Sequence, residues 1–254
     1  MFSLELIESI VGLVTIIAAY FIVVSLTGYF RAWVAVQMGD DTPAYMGFLT
    51  LNPLKHVDPL GFIFLILFGF GWGRYIPIMP FNIIGRFRKL KIFIANFADI
   101  FANFALATVS LVGLIVYFGA DVLRLSLPMM LLDSLRVVDH AGFFGFVKAI
   151  SVIKATLEAA YPTSSSFAIS MVLITIATMY LSVLLAALNF IISGFGYVYM
   201  MFNGFTSSRR YSSNIFMLLI PMLLIFFFIG PLRVFVAKLI ASLAAVLAKL
   251  LRFY

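Results

Sequence analysis

Few side chains in this sequence could hold a metal, move a proton or attack a bond. The stretch Leu51-Asn52-Pro53-Leu54-Lys55-His56-Val57-Asp58-Pro59-Leu60-Gly61 holds His56 and Asp58 between two turn-initiating X-Pro steps. Each proline disfavours helical backbone in the residue before it, so the stretch reads as a rigid polar bend. Histidine and aspartate together suit a metal or proton site. By residue type alone, Asn52, His56 and Asp58 better suit a turn whose polar groups satisfy only its own backbone. Further on, Asn96, Asp99 and Asn103 recur at i, i+3 and i+7, which puts all three on one face of a helix. A carboxylate in an apolar run is costly unless paired, which makes Asp99 a candidate for pairing, transport or proton relay. Asn189, with Ser182 and Ser193, could hydrogen-bond between helices, at only ~0.6 kcal/mol per contact.

The surroundings of these residues define the class. The sequence is 64% hydrophobic and 11% charged, with a mean hydropathy of +1.16. Soluble domains carry about 25% charged residues. Long apolar runs predict an all-α polytopic membrane protein; a membrane barrel would need alternating segments of about ten residues. The first apolar segment has no basic leader or small-residue cleavage site, so we expect a retained span. There are no cysteines, which excludes disulfides and thiolate metal sites. The net charge of +7 is spread over loops and helix ends, as in proteins that meet anionic lipid. No basic-aromatic face argues for nucleic acid. The many aromatic residues read as core and lipid-facing packing rather than a cofactor box, and no cofactor is expected.

The elements follow in order along one transmembrane domain, 1–254. A first helix is expected over Ile7–Phe30, continuing to Met38, and ended by Gly39-Asp40-Asp41-Thr42-Pro43. A second apolar segment, Gly61–Trp72, is too short to span and is loosened at its end by Gly69, Gly71 and Gly73. The basic run Arg86, Arg88, Lys89, Lys91 points to the cytoplasmic side and opens a third segment, Ile92–Phe118. Residues 120–166 form an interfacial region. There Phe146, Ile150, Ile153 and Leu157 share a face opposite Lys148, Ser151 and Glu158, the pattern of an amphipathic helix on the membrane or capping the bundle. A fourth segment, Phe167–Phe202, is expected to break at Gly194 and Gly196. Arg209 and Arg210 suggest a cytoplasmic loop before a fifth segment, Ile215–Ile229. A last helix carries Lys238, Ser242, Lys249 and Arg252 within about 80° of one another, as an interfacial helix or a sixth span would.

From Ser25 to Asn82 the sequence resembles the site-2 protease family, intramembrane zinc metalloproteases widespread in bacteria. In one branch a helix bearing H-E-F-A-H-A-W-V-A leads into G-D, then L-T-L-N-P-L-K-H-x-D-P-x-G, then F-G-W-A-K-P-V-P-V-N-P. This chain has Ala32-Trp33-Val34-Ala35, Gly39-Asp40, and the run from Leu49 to Gly61 in the same register. Phe70-Gly71-Trp72-Gly73-Arg74 follows, with Pro77 and Pro80 aligned. Ala98 to Asn103 resembles the family's A-G-P-x-x-N. The resemblance implies five to six transmembrane helices in a site-2 protease-like bundle. Residues 1–119 would supply its first three helices and 167–254 its C-terminal ones, with interfacial amphipathic helices beside them.

The departures from the family change the functional expectation. Its H-E-x-x-H zinc motif falls on Thr27-Gly28-Tyr29-Phe30-Arg31, and its later aspartate ligand falls on Tyr197. The family's metal site is thereby lost at Thr27, Gly28, Arg31 and Tyr197. His56 and His140 are the only histidines, so a replacement site would draw on His56, Asp58 and His140, fewer ligands than a good zinc site gathers. The resemblance also sets Arg31 opposite Asp99, so an intramembrane ion pair is expected where a metal once cross-linked two helices. Alternatively Arg31 snorkels to the interface and Asp99 pairs with Asn96, Asn103 or water. The expectation is a non-catalytic homologue, not an enzyme, in a bacterial plasma membrane. It would act as a scaffold or subunit bound to other integral membrane proteins, in contact with the bilayer and not with nucleic acid. The alternatives are an active metalloprotease with a replaced site, and a small transporter or proton-conducting subunit.

Overall fold

A computed structural model describes residues 4–69, 71–118, 147, 150–203, 235, 238–239, 242 and 246. The segment Ile215–Ile229, and Phe146, Lys148, His140, Arg209, Arg210, Lys249 and Arg252, lie outside the described residues.

Three long helices carry the architecture. The first, α1 (Leu4–Met38), has 35 residues. It is ended by Gly39, whose φ of +104° is open to glycine and strained for other residues. Gly39 N donates to Val36 O at 2.9 Å and Asp40 N to Ala35 O at 3.0 Å. These two bonds close the last turn and satisfy carbonyls the helix would leave open. Two short helices follow, α2 (Thr42–Tyr45) and α3 (Pro53–His56), and then α4 (Pro59–Phe68). α5 spans Arg88–Phe118 and α6 spans Ser166–Asn203.

Among the described residues, three helices are long and apolar enough to cross a membrane: Ser9–Met38, Arg88–Val116 and Ser166–Val198. Each reaches more than about 40 Å at 1.5 Å per residue, against a hydrocarbon core of about 30 Å. α4, with 10 residues, reaches only about 15 Å and does not span. It begins at Pro59, two residues before the expected start, and ends at Gly69 in the left-handed conformation. The chain is therefore an all-helical membrane protein over its described part.

α1, α5 and α6 pack pairwise against one another. Ile16, Ala19, Tyr20 and Val23 of α1 meet Leu111 and Leu114 of α5 and Leu173, Leu181 and Leu184 of α6 in one buried cluster. Ile150, Ile153 and Leu157, in the helical segment 150–160, join the same cluster. That segment's apolar face therefore packs into the bundle. Glu158 faces out, 3.5 Å from Lys154, and Ser151 is half-buried.

Two expectations are corrected. α6 does not break at Gly194 or Gly196 but continues as helix to Asn203. A helical glycine costs only about 1 kcal/mol relative to alanine, and in an apolar medium the backbone must keep its internal hydrogen bonds. The glycines after α4 do not loosen the chain. Gly61 and Gly71 let two backbones touch: a Cβ on Gly61 would overlap Trp72 O, and one on Gly71 would overlap Gly61 O. The chain thus folds back tightly. Val57 bridges Gly73, and Tyr20 of α1 donates to Trp72 O at 2.7 Å.

Candidate functional site

The polar residues of the bend lock its backbone. Asn52 caps α3 by accepting from Leu54 N at 3.0 Å. Asp58 caps α4 by accepting from Gly61 N at 2.9 Å. With a proline at the first turn of each helix, this is how a short helix start satisfies its open amides. His56 points the other way, into the protein, and its ring is buried. Its Nε2 lies 2.7 Å from Thr50 O. A carbonyl can only accept, so Nε2 carries the proton and Nδ1 presents a lone pair. Nδ1 is buried and has no hydrogen-bond partner among the described residues. Burial lowers the pKa of His56 from 6.5; the Thr50 carbonyl opposes this and Arg74 adds to it, so the imidazole is held neutral. His56 and Asp58 thus turn to different tasks and do not converge.

Next to His56 stands α1. A Cβ on Gly28 would overlap the His56 Nδ1, and His56 Cγ and Cε1 would lie 3.0 Å away. The imidazole fills the place a side chain at position 28 would leave from. One position earlier, Thr27 donates to Val23 O at 2.8 Å, within its own helix.

Three positions after Gly28, Arg31 is buried and its Nη1 donates to Asp99 Oδ2 of α5 at 2.6 Å. The other Asp99 oxygen accepts from Ile100 N at 3.0 Å. The Arg31 guanidinium also lies 5.6 Å from the centre of the Tyr75 ring. Arg31 therefore does not snorkel, and the asparagines do not pair with the Asp99 carboxylate. Asn96 donates to Ile92 O at 3.0 Å and Asn103 to Asp99 O at 2.8 Å, both along their own helix. Asn103 Oδ1 is buried without a partner among the described residues. Asn189 is half-buried on α6. Tyr197 packs edge-on to Phe93 at 5.6 Å and to Phe97 at 5.9 Å.

These residues do not fit a zinc ion. Thr27 is bonded within its helix, Gly28 offers no side chain, Tyr197 sits among phenylalanines, and Arg31, a cation bonded to Asp99, cannot ligate a metal. Among the described residues no group of three or more His, Asp or Glu side chains could hold a metal. The arrangement can instead hold two helices together. A buried pair is retained when its hydrogen bonds are good and broken at high cost when one partner is removed.

Residue-type reasoning overlooked Asp40, which is fully buried. Its carboxylate accepts from Thr42 N at 3.2 Å and Thr42 Oγ1 at 2.6 Å. It also accepts from Met79 N at 2.6 Å and Asn82 Nδ2 at 2.8 Å. This one side chain fastens the end of α1 to the segment before α5. The Asp-x-Thr step was the available local signal, since an aspartate commonly accepts from the backbone two residues on.

Comparison with curated proteins finds a short similarity to a protein of Bacillus subtilis (strain 168) named "Putative zinc metalloprotease YwhC". The two are 54% identical over 48 residues, which is 19% of this chain and 22% of that protein. The match therefore spans about a fifth of each. No family model matches the chain, and no solved structure matches it.

Proposed function

We propose that this chain is a degenerate, non-catalytic relative of the site-2 proteases. It serves as an integral membrane scaffold or subunit that holds other membrane proteins. The observation that carries this reading is the Arg31–Asp99 pair. It joins α1 to α5 at the register where the resemblance expects a histidine ligand, so a helix cross-link remains while the means to activate water is gone. The imidazole of His56 over Gly28, where the family's glutamate would stand, supports the same reading. The groove that admits a substrate helix in a protease would here hold a client helix without cutting it. The membrane is a bacterial plasma membrane, in keeping with the bacterial origin of the matched protein.

The match to a protein named as a metalloprotease favours the opposing reading, an active enzyme with a rebuilt site. Protein gently extracted from its native membrane separates the two. The metal content and the co-purifying chains are measured in the same sample. A fixed set of partner chains with no stoichiometric metal supports the scaffold. Stoichiometric zinc with cleavage of a membrane-spanning peptide overturns it.

A further inference from the structure

Three oxygens on α5 and α6 are buried without a hydrogen-bond partner among the described residues: Asn103 Oδ1, Thr178 Oγ1 and Ser182 Oγ. Their residues are 0%, 4% and 0% exposed. Such atoms are costly anywhere, and most of all in a membrane, where no bulk water can reach them.

The two hydroxyls break a habit of this chain. Thr15, Ser25, Thr27, Thr108, Ser170 and Thr175 each donate to the carbonyl four residues back along their own helix. Thr178 and Ser182 make no such bond. They are four residues apart, so they share one face of α6.

The packing register brings Asn103 to the same place. Along α5, Phe93 meets Tyr197 and Phe97 meets Phe190 of α6, and Ile100 shares a small core with Ala186. The two helices are therefore antiparallel, and each turn forward on α5 is a turn back on α6. Asn103 lies one turn beyond Ile100, and Ser182 one turn before Ala186. The Asn103 amide is already oriented, because its Nδ2 donates to Asp99 O at 2.8 Å. That bond leaves Oδ1 to accept.

We propose that this level of the bundle is a binding site for one buried water molecule, which bridges Asn103, Thr178 and Ser182. Side chains one turn apart have Cβ atoms about 5–6 Å apart. Two O–H···O bonds in series, about 2.7–2.8 Å each, match that gap. The water accepts from one hydroxyl and donates to the other and to Asn103 Oδ1. These three bonds are the usual number for a buried water. A cation suits the site less well. The three oxygens are neutral, and the Arg31–Asp99 pair one turn away is already balanced, so a metal ion would add an uncompensated buried charge. The water ties α5 to α6 as the ion pair ties α1 to α5. This holds whether or not the chain is a scaffold, because it rests on the α5–α6 contact alone.

The test uses the full-length protein, crystallised from a lipidic mesophase at a resolution that shows ordered waters. The expected result is a solvent peak within hydrogen-bond distance of all three oxygens. Direct bonds among the three side chains overturn the proposal, as does a side chain from elsewhere in the chain bonded to them. So does a peak that changes when sodium is exchanged for caesium, which assigns the site to a cation. Unfolding of Thr178→Val, Ser182→Ala and the double variant in one micelle gives an independent reading by sign. Removing an oxygen that truly lacks a partner relieves a buried polar group and raises stability. Removing a ligand of the water should instead lower the folded-to-unfolded ratio about five-fold in each single variant. The double variant should lose less than the product of the two, since both changes dislodge the same water. Unchanged or raised stability in the single variants, or losses that simply multiply, overturn the proposal.

Discussion

Asp99 and Arg31 matter most when one is present without the other. Asp99→Asn leaves a buried guanidinium without its counter-charge, 2.6 Å from where the carboxylate stood. The expected loss is about 3–5 kcal/mol. Arg31→Met combined with Asp99→Asn removes both charges and should recover much of that loss, since no unpaired charge is then left buried. Unfolding of the purified single and double variants in the same micelle checks this. A double variant as unstable as Asp99→Asn alone would show that the pair is not what holds the helices. Gly28 and His56 are coupled by space instead of charge. Gly28→Ala puts a methyl into the imidazole and should cost about 1–3 kcal/mol. In a His56→Ala background the same change should cost markedly less. Equal cost in both backgrounds would mean that the ring moves aside freely.

At the scale of elements, Asp40 is the fastening whose loss is most local in effect. Asp40→Ala removes the acceptor for Met79 N, Asn82 Nδ2 and the Thr42 hydroxyl together. Hydrogen bonds to a charged group are worth about 1.5–3 kcal/mol each. The expected outcome is faster protease cleavage between residues 75 and 88, with the three long helices still formed. Cleavage at the wild-type rate would mean that backbone packing alone holds this segment. This fastening also marks what the sequence could disclose. The end of α1 at Gly39 and the proline-led starts of α3 and α4 were legible, because cap and turn signals act over a few residues. The Asp40 hub was not, because two of its donors lie 39 and 42 residues further along. Nor was the unbroken course of α6 through Gly194 and Gly196, since whether a glycine ends a helix depends on what surrounds it. The Arg31–Asp99 contact spans 68 residues, and only the family resemblance suggested it. Residue types alone put Asn96 and Asn103 on the right face without showing that each would bond along its own helix.

At the scale of the whole molecule, the question is what ties the long helices together. α1, α5 and α6 form a closed set of neighbours, with a large apolar cluster reaching from Ile16 to Leu188. The Arg31–Asp99 pair is a charged cross-link from α1 to α5. A metal-tied bundle gains stability from its ion and loses it to a chelator, because binding free energy adds to folding free energy. A bundle tied by an ion pair has no such dependence. The intact protein should therefore keep the same unfolding midpoint with and without a strong zinc chelator, and added zinc should not raise it. The Arg31→Met, Asp99→Asn double variant should be equally indifferent to chelator. A midpoint that falls on chelation in the native chain would place a metal in the bundle and point to ligands beyond the described residues.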